Sequence, residues 1–289
     1  MALYSLDEPP QPLVAPVLLA AFDGWIDAAK ASTSACALVA GEGDALVTFD
    51  DDALYDYRAR RPVLDIVDGT LTQLIWPDLS IKHTTHGGRD VLVFSGPEPD
   101  FRWQQLGREV SELATSLGVV EWVSLGSIPA AVPHTRPVPI LATSSKHGLL
   151  QHGEQQGPDG LLRVPSAALS TVEMAVTAGG IPATGFYAQI PNYIGGPFGA
   201  ATVALLDVSG QHLGVEFPLG GLPDEAAEQR RNLDAAVEAE PDSRAYVERL
   251  EQMVDEQRLP SGDELASEIE RFLRTGDDPG DEQRPIVDR

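Results

Sequence analysis

The sequence predicts a three-layer α/β fold, in which helices cover both faces of a mostly parallel sheet, followed by a C-terminal helical appendage. Short and fully apolar runs, such as residues 17–22 (VLLAAF), are typical of strands that are buried on both faces. Helical stretches alternate with these runs, which indicates parallel strands joined by helical crossovers. After about Pro223 the strand pattern stops and amphipathic helical spacing replaces it.

The apolar runs predict the positions of the strands. We predict strands at residues 17–22, 45–49, 91–94, 119–125 and 138–142, and a hairpin made of residues 63–67 and 71–76. Asp68-Gly69 separates the two halves of the hairpin and supplies its turn. Residues 144–160 contain four glycines and predict an exposed loop.

Periodicity and capping residues predict the helices. Residues 25–39 have helical composition, and a second helix is indicated by the apolar spacing of Leu106, Val110, Leu113 and Leu117. We predict Asp100 as the N-cap of this second helix and Gly118 as its C-cap. Ser170 and Glu173 form a capping-box pattern that predicts the start of a helix ending at Gly179.

These patterns divide the chain into four parts. They are an N-terminal extension at 1–16, an α/β core domain at 17–222, an acidic helical appendage at 223–275 and a disordered tail at 276–289. The stretch 221–289 holds 20 acidic and 9 basic residues, and Ser261 and Glu264 predict a capping box for its last helix. The tail is rich in Asp, Pro and Gly, which indicates disorder.

Composition excludes several classes of protein. With 289 residues, 43% of them hydrophobic, the chain can bury a large core. The 44 acidic and 20 basic residues give a net charge of −24, which repels nucleic acid and anionic membranes, so we expect neither as a partner. The N-terminus lacks the pattern of a signal peptide, and we therefore expect a cytoplasmic protein. The single cysteine, Cys36, lies in an Ala-rich helical stretch, which predicts core packing.

One uncharged stretch needs a separate interpretation. Residues 174–206 contain no charged side chain and are long enough to span a bilayer. Six glycines and three prolines interrupt them, which predicts a short helix, a strand, a loop and a second helix. We interpret the stretch as buried core or as a subunit interface.

The common catalytic and cofactor-binding motifs are absent from the sequence. It contains no P-loop, no HExxH, no GxSxG and no GxGxxG before a helix, and we expect no cofactor. His83 and His86 have the spacing of a metal pair. They lie in a predicted Thr/Gly turn without neighbouring carboxylates, however, and we predict no metal site. The glycine loop at 195–199 precedes a helix and could bind phosphate, although tight helix packing explains its glycines equally well.

Polar residues at predicted strand ends form the candidate site. In an open parallel sheet, ligands bind at the carboxyl ends of the strands. The polar residues near those ends are Asp23, Glu98, Asp100, Ser127, His134 and Arg136, and a basic cluster precedes the hairpin at Arg58, Arg60 and Arg61. A carboxylate, a histidine and an arginine at one edge could bind an anion or transfer protons. The structural alternative is that these residues form salt bridges and helix caps.

Five segments in order resemble the proteasome assembly chaperone family, in its bacterial branch. They are FDGW (22–25), DYRARRP (56–62), GPEPDFRW (96–103), VPHTRP (132–137) and IPNY (190–193). The resemblance covers about residues 15–275. It implies a phosphorylase/hydrolase-like fold and a homo-oligomer, with a trimer as the first expectation. It also implies a non-catalytic role in complex assembly, with proteasome α-subunits as possible partners.

Two hypotheses of function follow. In the first, the chain is a binding protein, and its candidate binding residues within the five segments are Trp25, Arg58, Arg61, Trp103 and Tyr193. Family members that dock on proteasome rings end in a hydrophobic-Tyr-X tail, whereas this sequence ends Pro285-Ile286-Val287-Asp288-Arg289. In the alternative, the chain is a hydrolase or phosphorylase acting on a small anionic or nucleoside-like substrate. Its candidate catalytic residues are Asp23, Glu98, His134 as general base and Arg136 as anion holder.

Overall fold

An eight-stranded mixed sheet forms the centre of the molecule, and a separate two-stranded hairpin lies outside it. The computed structural model describes residues 2–7, 12–43, 45–150, 157 and 160–257. The strands in chain order are β1 (Tyr4–Leu6), β2 (Val17–Asp23), β3 (Ala45–Phe49), β4 (Val63–Val67), β5 (Thr70–Ile75), β6 (Ser80–His86), β7 (Arg89–Pro97), β8 (Glu121–Ala130), β9 (Ile140–Ser144) and β10 (Ala183–Pro191).

The main sheet has the spatial order β1-β3-β6-β7-β2-β8-β10-β9. Its four central strands, β7, β2, β8 and β10, run parallel, and the strands at both edges pair antiparallel. The predicted α/β fold is confirmed, with the parallel pairing concentrated in the centre of the sheet. All four parallel strands have their carboxyl ends at one edge, which we call the carboxyl rim.

Helices cover both faces of this sheet, as predicted. They are α1 (Ala31–Ala40), α2 (Asp51–Leu54), α3 (Trp103–Ser116), α4 (Ala168–Ala178), α5 (Gly199–Leu213), α6 (Leu222–Ala239) and α7 (Pro241–Gln257). Residues of α3 and α4 form one core with the sheet, and residues of α1 and α5 form the other. The neighbouring residues Leu18 and Leu19 of β2 belong to different cores, and burying each stabilises the fold by about 1.5–3 kcal/mol.

Two predicted helix caps are wrong, because both helices begin at other residues than predicted. Arg102, in the left-handed region with a φ of 60°, directly precedes α3, and the Asp100 carboxylate instead accepts the Asp56 amide at 2.9 Å. The helix α4 begins at Ala168, so Ser170 and Glu173 lie inside it and form no capping box.

The predicted hairpin is confirmed as β4 and β5, and every residue of both strands is exposed.

The predicted Thr/Gly turn around His83 and His86 is wrong. Both histidines belong to β6, which pairs antiparallel with β7. The His83 ring contacts the Asp90 carboxylate at 2.7 Å, and the His86 ring contacts the Val39 carbonyl at 2.9 Å.

The remaining chain predictions have mixed outcomes. Cys36 is fully buried, as predicted, and its burial raises the pKa of the thiol. Residues 174–206 fold as the end of α4, then β10, a loop and the start of α5. In the part of the chain that the structure describes, no helix combines the length and apolarity needed to traverse a bilayer. The capping box at Ser261 and the tail at 276–289 lie outside the described residues, as does part of the predicted loop at 144–160.

Candidate functional site

The five sequence segments that carry the family resemblance meet at the carboxyl rim and form two clusters. FDGW, DYRARRP and GPEPDFRW form the first, which we call the Asp23 cluster, around the ends of β2 and β7. VPHTRP and IPNY form the second, which we call the His134 cluster, after β8 and β10. The sequence therefore predicts the edge of the sheet correctly, and the tertiary structure divides its residues into two groups.

Backbone hydrogen bonds hold the Asp23 cluster together. Asp23 is the last residue of β2, and its carbonyl accepts the Glu98 amide at 2.9 Å and the Arg60 guanidinium at 3.4 Å. The Asp23 carboxylate is half-exposed, and among the described residues its ion-pair partner is the exposed ammonium of Lys30, at 3.5 Å. An exposed pair at this distance contributes little to stability. The Asp23 side chain thus remains accessible to solvent, while its backbone is part of the scaffold.

Glu98 has a structural contact that the sequence pattern does not reveal. Its Oε1 accepts the Ala168 amide at 2.7 Å, at the first turn of α4, where helix amides lack intrahelical partners. Its Oε2 lies against Gly24, where a Cβ atom would come within 2.7 Å of that oxygen. Gly24 therefore allows the carboxylate to reach the helix, which links the FDGW and GPEPDFRW segments physically.

The two candidate tryptophans and the basic cluster differ in accessibility. Trp25 is 55% exposed, whereas the Trp103 indole donates to the Pro99 carbonyl at 2.6 Å. Arg60 is held between the Asp23 carbonyl and the Asp100 carboxylate, which lies 3.9 Å from its Nε. Arg58 and Arg61 are exposed.

A buried histidine organises the second cluster. The His134 side chain has no exposed surface, and its Nδ1 lies 2.7 Å from the Tyr193 hydroxyl. The opposite nitrogen, Nε2, faces the Asp234 carboxylate of α6 at 3.2 Å and therefore carries the ring proton and donates it. In the neutral ring Nδ1 is then an acceptor, so the Tyr193 hydroxyl donates its proton to Nδ1 while it accepts the His134 backbone amide at 2.8 Å. Neutral His134 therefore satisfies all of these contacts at once.

Electrostatics favour the same neutral state. Burial lowers the pKa of the His134 imidazole, and the nearby Arg230 guanidinium lowers it further, while Asp234 opposes both effects. Arg230 also donates to the His134 carbonyl at 2.9 Å and pairs with Asp234 on its own helix. The His134 ring is thus a buried connection between the rim and α6.

Two further residues, Arg136 of the VPHTRP segment and Asn192 of the IPNY segment, form hydrogen bonds with α7. Arg136 donates to both carboxylate oxygens of Asp255, at 2.9 and 2.7 Å, and to Glu251 at 3.1 Å. These carboxylates raise the pKa of the Arg136 guanidinium. Asn192 exchanges hydrogen bonds with the Tyr246 hydroxyl at 2.9 and 3.2 Å. The two segments therefore hold the acidic appendage on the core of the same chain.

The four candidate catalytic residues are thus divided between the clusters. Asp23 and Glu98 meet in the first, whereas His134 and Arg136 belong to the second and contact the C-terminal helices. A cleft of about 510 Å³ lies beside the second cluster and is lined partly by Pro137, Val138 and Val203. His134 borders this cleft without exposing its ring.

The glycine loop before α5 has an internal partner for its first helical amide. The Gln229 side chain of α6 accepts the Gly199 amide at 3.2 Å and donates to the Pro197 carbonyl at 2.6 Å. Gly199 also packs closely against α6, since an added Cβ would lie 3.2 Å from Leu222. Helix packing therefore accounts for Gly199, whereas an added Cβ at Gly195 or Gly196 would meet no atom within 4 Å, so packing does not explain those two glycines.

Several residues with important contacts escape analysis of the sequence. Asp27 is buried and accepts the Ser32 amide at 3.0 Å and the Ser32 hydroxyl at 2.6 Å, so it caps α1. Its spacing to Ser32 hides this role, because Ala29 and Lys30 adopt left-handed conformations between them. The acidic partners Asp234 and Asp255 cannot be singled out in the sequence, because α6 and α7 each contain several other acids.

Comparison with known proteins identifies a family whose model matches most of this chain. The PAC2 family model matches residues 21–237. A Corynebacterium glutamicum protein of unknown function is 29% identical, covering 88% of this chain and 97% of its own, with a TM-score of 0.82. Mycobacterium tuberculosis Rv2714, also of unknown function, is 31% identical over 88% of this chain and 91% of its own, with a TM-score of 0.81.

A third solved structure has a more informative name. Mycobacterium tuberculosis Rv2125, described as a proteasome-assembly chaperone homologue, is 35% identical over 80% of this chain and 99% of its own, with a TM-score of 0.72. Among curated proteins none matches the chain. The family model includes most of the two clusters, from Phe22 at the end of β2 to Asp234 on α6. The chain therefore belongs to the PAC2 family.

Proposed function

We propose that this protein is a non-catalytic binding protein that acts in the assembly of a protein complex. The observation that carries the proposal is that the polar rim residues form hydrogen bonds and ion pairs with other parts of the same chain. Glu98 caps α4, His134 is buried under α6, and Arg136 binds α7. Residues that bind other parts of the same chain stabilise the fold, and the exposed surfaces of that fold can then bind another protein. The description of Rv2125 as a proteasome-assembly chaperone homologue supports the same class of role.

Proteasome α-subunits are the partner that we propose for testing. Of the candidate binding residues, Trp25, Arg58 and Arg61 offer exposed side chains at the Asp23 cluster. Trp103 and Tyr193 donate their polar hydrogens inside the chain, and we assign them supporting roles. Tryptophan and arginine are residue types that are enriched at the energetic centres of protein interfaces.

We further propose that the protein is a homo-oligomer, with a trimer as the first expectation from its fold. Many large apolar side chains of the described residues are exposed, among them eight between Val63 and Trp76. Exposed apolar area of this extent supports contacts between protein chains.

Native mass spectrometry of the purified chain, alone and mixed with proteasome α-subunits, tests this proposal. A defined homo-oligomer that captures α-subunits is the expected result. Trp25→Ala together with Arg58→Ala should weaken capture, whereas Arg231→Ala, at an exposed position of α6, is the matched control. A homo-oligomer that ignores α-subunits and retains a co-purified small molecule would contradict the proposal and favour the hydrolase or phosphorylase alternative.

A further inference from the structure

The cleft beside the His134 cluster is mainly apolar and has walls from three parts of the chain. The rim segment contributes Pro137 and Val138, α5 contributes Val203, and α6 contributes Ala226 and Ala227. Its volume of about 510 Å³ lies within the ~300–1,000 Å³ of pockets that take a whole drug-sized ligand. The cleft can therefore accept several apolar side chains at once.

The helix α6 forms one wall of this cleft without burying any residue of its own. None of its 18 residues is buried, and Ala227, which lines the cleft, is exposed. Helices in proteins gain most of their stability by packing an apolar face against another element. A further apolar element in the cleft would supply such packing for α6.

The described part of the chain ends beside the cleft. Arg136, which lines the cleft, donates to both carboxylate oxygens of Asp255, at 2.9 and 2.7 Å. The adjacent lining residue Thr135 donates to Glu251, one helical turn earlier in α7. The helix ends at Gln257, two residues after Asp255, and residues 258–289 follow in the sequence. These residues therefore start close to the edge of the cleft.

The sequence soon after α7 contains a clear apolar pattern of helical period. Four large apolar residues recur at intervals of four, three and one, which predicts that they share one face of a helix. They are Leu265, Ile269, Phe272 and Leu273. The predicted capping box at Ser261 and Glu264 marks the start of this helix. Isolated helices shorter than ~12–15 residues are marginal in water, so residues 261–273 need an apolar partner.

Length and charge both fit a contact between this segment and the cleft. Leu265 follows Gln257 by eight positions, and eight residues can span up to about 26–29 Å. Both charged side chains among the described lining of the cleft are arginines, Arg136 and Arg230. Residues 261–273 contain four acids and one arginine. Opposite charges at the edge of an apolar contact favour the matching orientation.

We propose that residues 261–273 pack their apolar face into this cleft within the same copy of the chain. The linker favours the same copy, because a short flexible linker gives an effective concentration in the millimolar range. The contact covers the apolar walls that α5, α6 and the rim segment provide. The inference is independent of the proposed assembly role, since it requires neither α-subunits nor a second copy.

Thiol accessibility on α6 tests the contact in the full chain. Ala227 lines the cleft and Ala235 lies on the same helix outside it, and both are exposed. Cys36 is buried, so a cysteine introduced at either position is the reactive one. Ala227→Cys should react with a maleimide about tenfold more slowly than Ala235→Cys, because its thiol reacts only when the segment leaves the cleft. Equal rates would overturn the inference.

A matched pair of substitutions identifies what covers the cleft. Ile269→Asp places a charge on the apolar face of the segment, and Ser267→Asp places the same charge on the opposite face. Combined with Ala227→Cys, the first substitution should restore the fast reaction and the second should leave it slow. A slow reaction that persists with Ile269→Asp would show that another group fills the cleft, and the inference would fail.

A disulfide distinguishes the same copy from a second one. Under mild oxidation, Ala227→Cys combined with Ile269→Cys should form a bond within one chain, which denaturing electrophoresis without reductant shows as a single chain. Linked pairs of chains would place the segment on a second copy and would refute the proposed arrangement, as would chains that remain unlinked. Capture of α-subunits is measured separately, so these outcomes do not decide the assembly role.

Discussion

At the scale of single residues, the carboxyl rim shows how a strand-end side chain can serve the fold. Glu98, His134 and Arg136 have the residue types of a catalytic group, and each contacts a segment distant in sequence. Position 24 requires glycine, because the Cβ of any other residue there would lie 2.7 Å from the Oε2 atom of Glu98. The sequence shows which residue types lie at the rim, whereas only the contacts in the folded structure show what each of them does.

Replacing His134 should destabilise the protein strongly. His134→Ala leaves the Tyr193 hydroxyl and the Asp234 carboxylate without their buried partner, and we expect a loss of about 2–3 kcal/mol in the free energy of unfolding. Urea denaturation at pH 7 measures the change. The control is His147→Ala in an exposed loop, which should change stability by less than about 0.5 kcal/mol.

The same histidine predicts a pH dependence with a definite sign. Burial and Arg230 lower the pKa of folded His134 below the ordinary value of 6.5, so the unfolded chain takes up the proton first as the pH falls. Its contribution to stability is therefore fully present above about pH 6.5 and is lost as the pH decreases below that value. Thermal melts from pH 7.5 to 5 should show a steeper decline for the natural chain than for His134→Ala. Parallel declines would contradict the assignment.

A second titratable group, which is partly buried, should act in the opposite direction. Burial raises the pKa of the Glu173 carboxyl, although its hydrogen bond from Ser124 at 2.6 Å opposes the effect. The folded state therefore favours the protonated acid, and this contribution is lost as the pH rises above the ordinary value of 4.5. Glu173→Gln should melt at the same or a higher temperature than the natural chain at pH 7. A lower melting temperature would contradict this prediction, and the exposed Glu112→Gln on α3 is the control.

At the scale of elements, the two C-terminal helices depend on a small number of polar contacts with the rim. The helix α6 has no buried residue, whereas Val247, Leu250 and Val254 of α7 are buried. Ion pairs and hydrogen bonds from the VPHTRP and IPNY segments therefore position these helices in addition to the apolar contacts of α7.

Loss of one such contact should loosen α7 and leave the sheet intact. Arg136→Ala removes the two-pronged contact with Asp255 and the bond to Glu251, and we expect only a small change in global stability because solvent screens these ion pairs. Hydrogen exchange should become faster for α7 amides and stay unchanged for β2 and β8. Equal acceleration throughout the chain would indicate a general loss of stability instead. Arg231→Ala should leave exchange unaltered.

At the scale of the whole molecule, the chain consists of a packed α/β core with two additions of different character. The C-terminal helices fold back onto the core through charged contacts, and the hairpin extends from it with exposed apolar residues. The contacts that hold the C-terminal helices on the core are made within one copy of the chain. The second addition exposes eight large apolar side chains between Val63 and Trp76, which is the observation behind the proposed self-association.

Truncation tests the remaining prediction for the tail. Deleting residues 276–289, which the sequence predicts to be disordered, should leave the fold and the oligomer unchanged. Circular dichroism and native mass spectrometry of the shortened chain measure both properties. Insoluble protein, or a changed number of copies, would contradict the prediction.

The sequence by itself determined the α/β class, most strands, the hairpin and the edge of the sheet where the polar residues gather. These features depend on local apolar runs, turn residues and periodicity, which nearby residues specify. It did not determine that β6 contains His83 and His86, or that Glu98 replaces the predicted cap of α4.

Only the tertiary structure decided the roles of the rim residues. His134 and Arg136 could have faced a substrate or a helix, and the choice depends on acids about 100 residues later in the chain. A helix surface with many acids contains no local signal of which carboxylate meets which base. Folding selects those pairs by the geometry of the packed elements, because a hydrogen bond requires precise distance and direction.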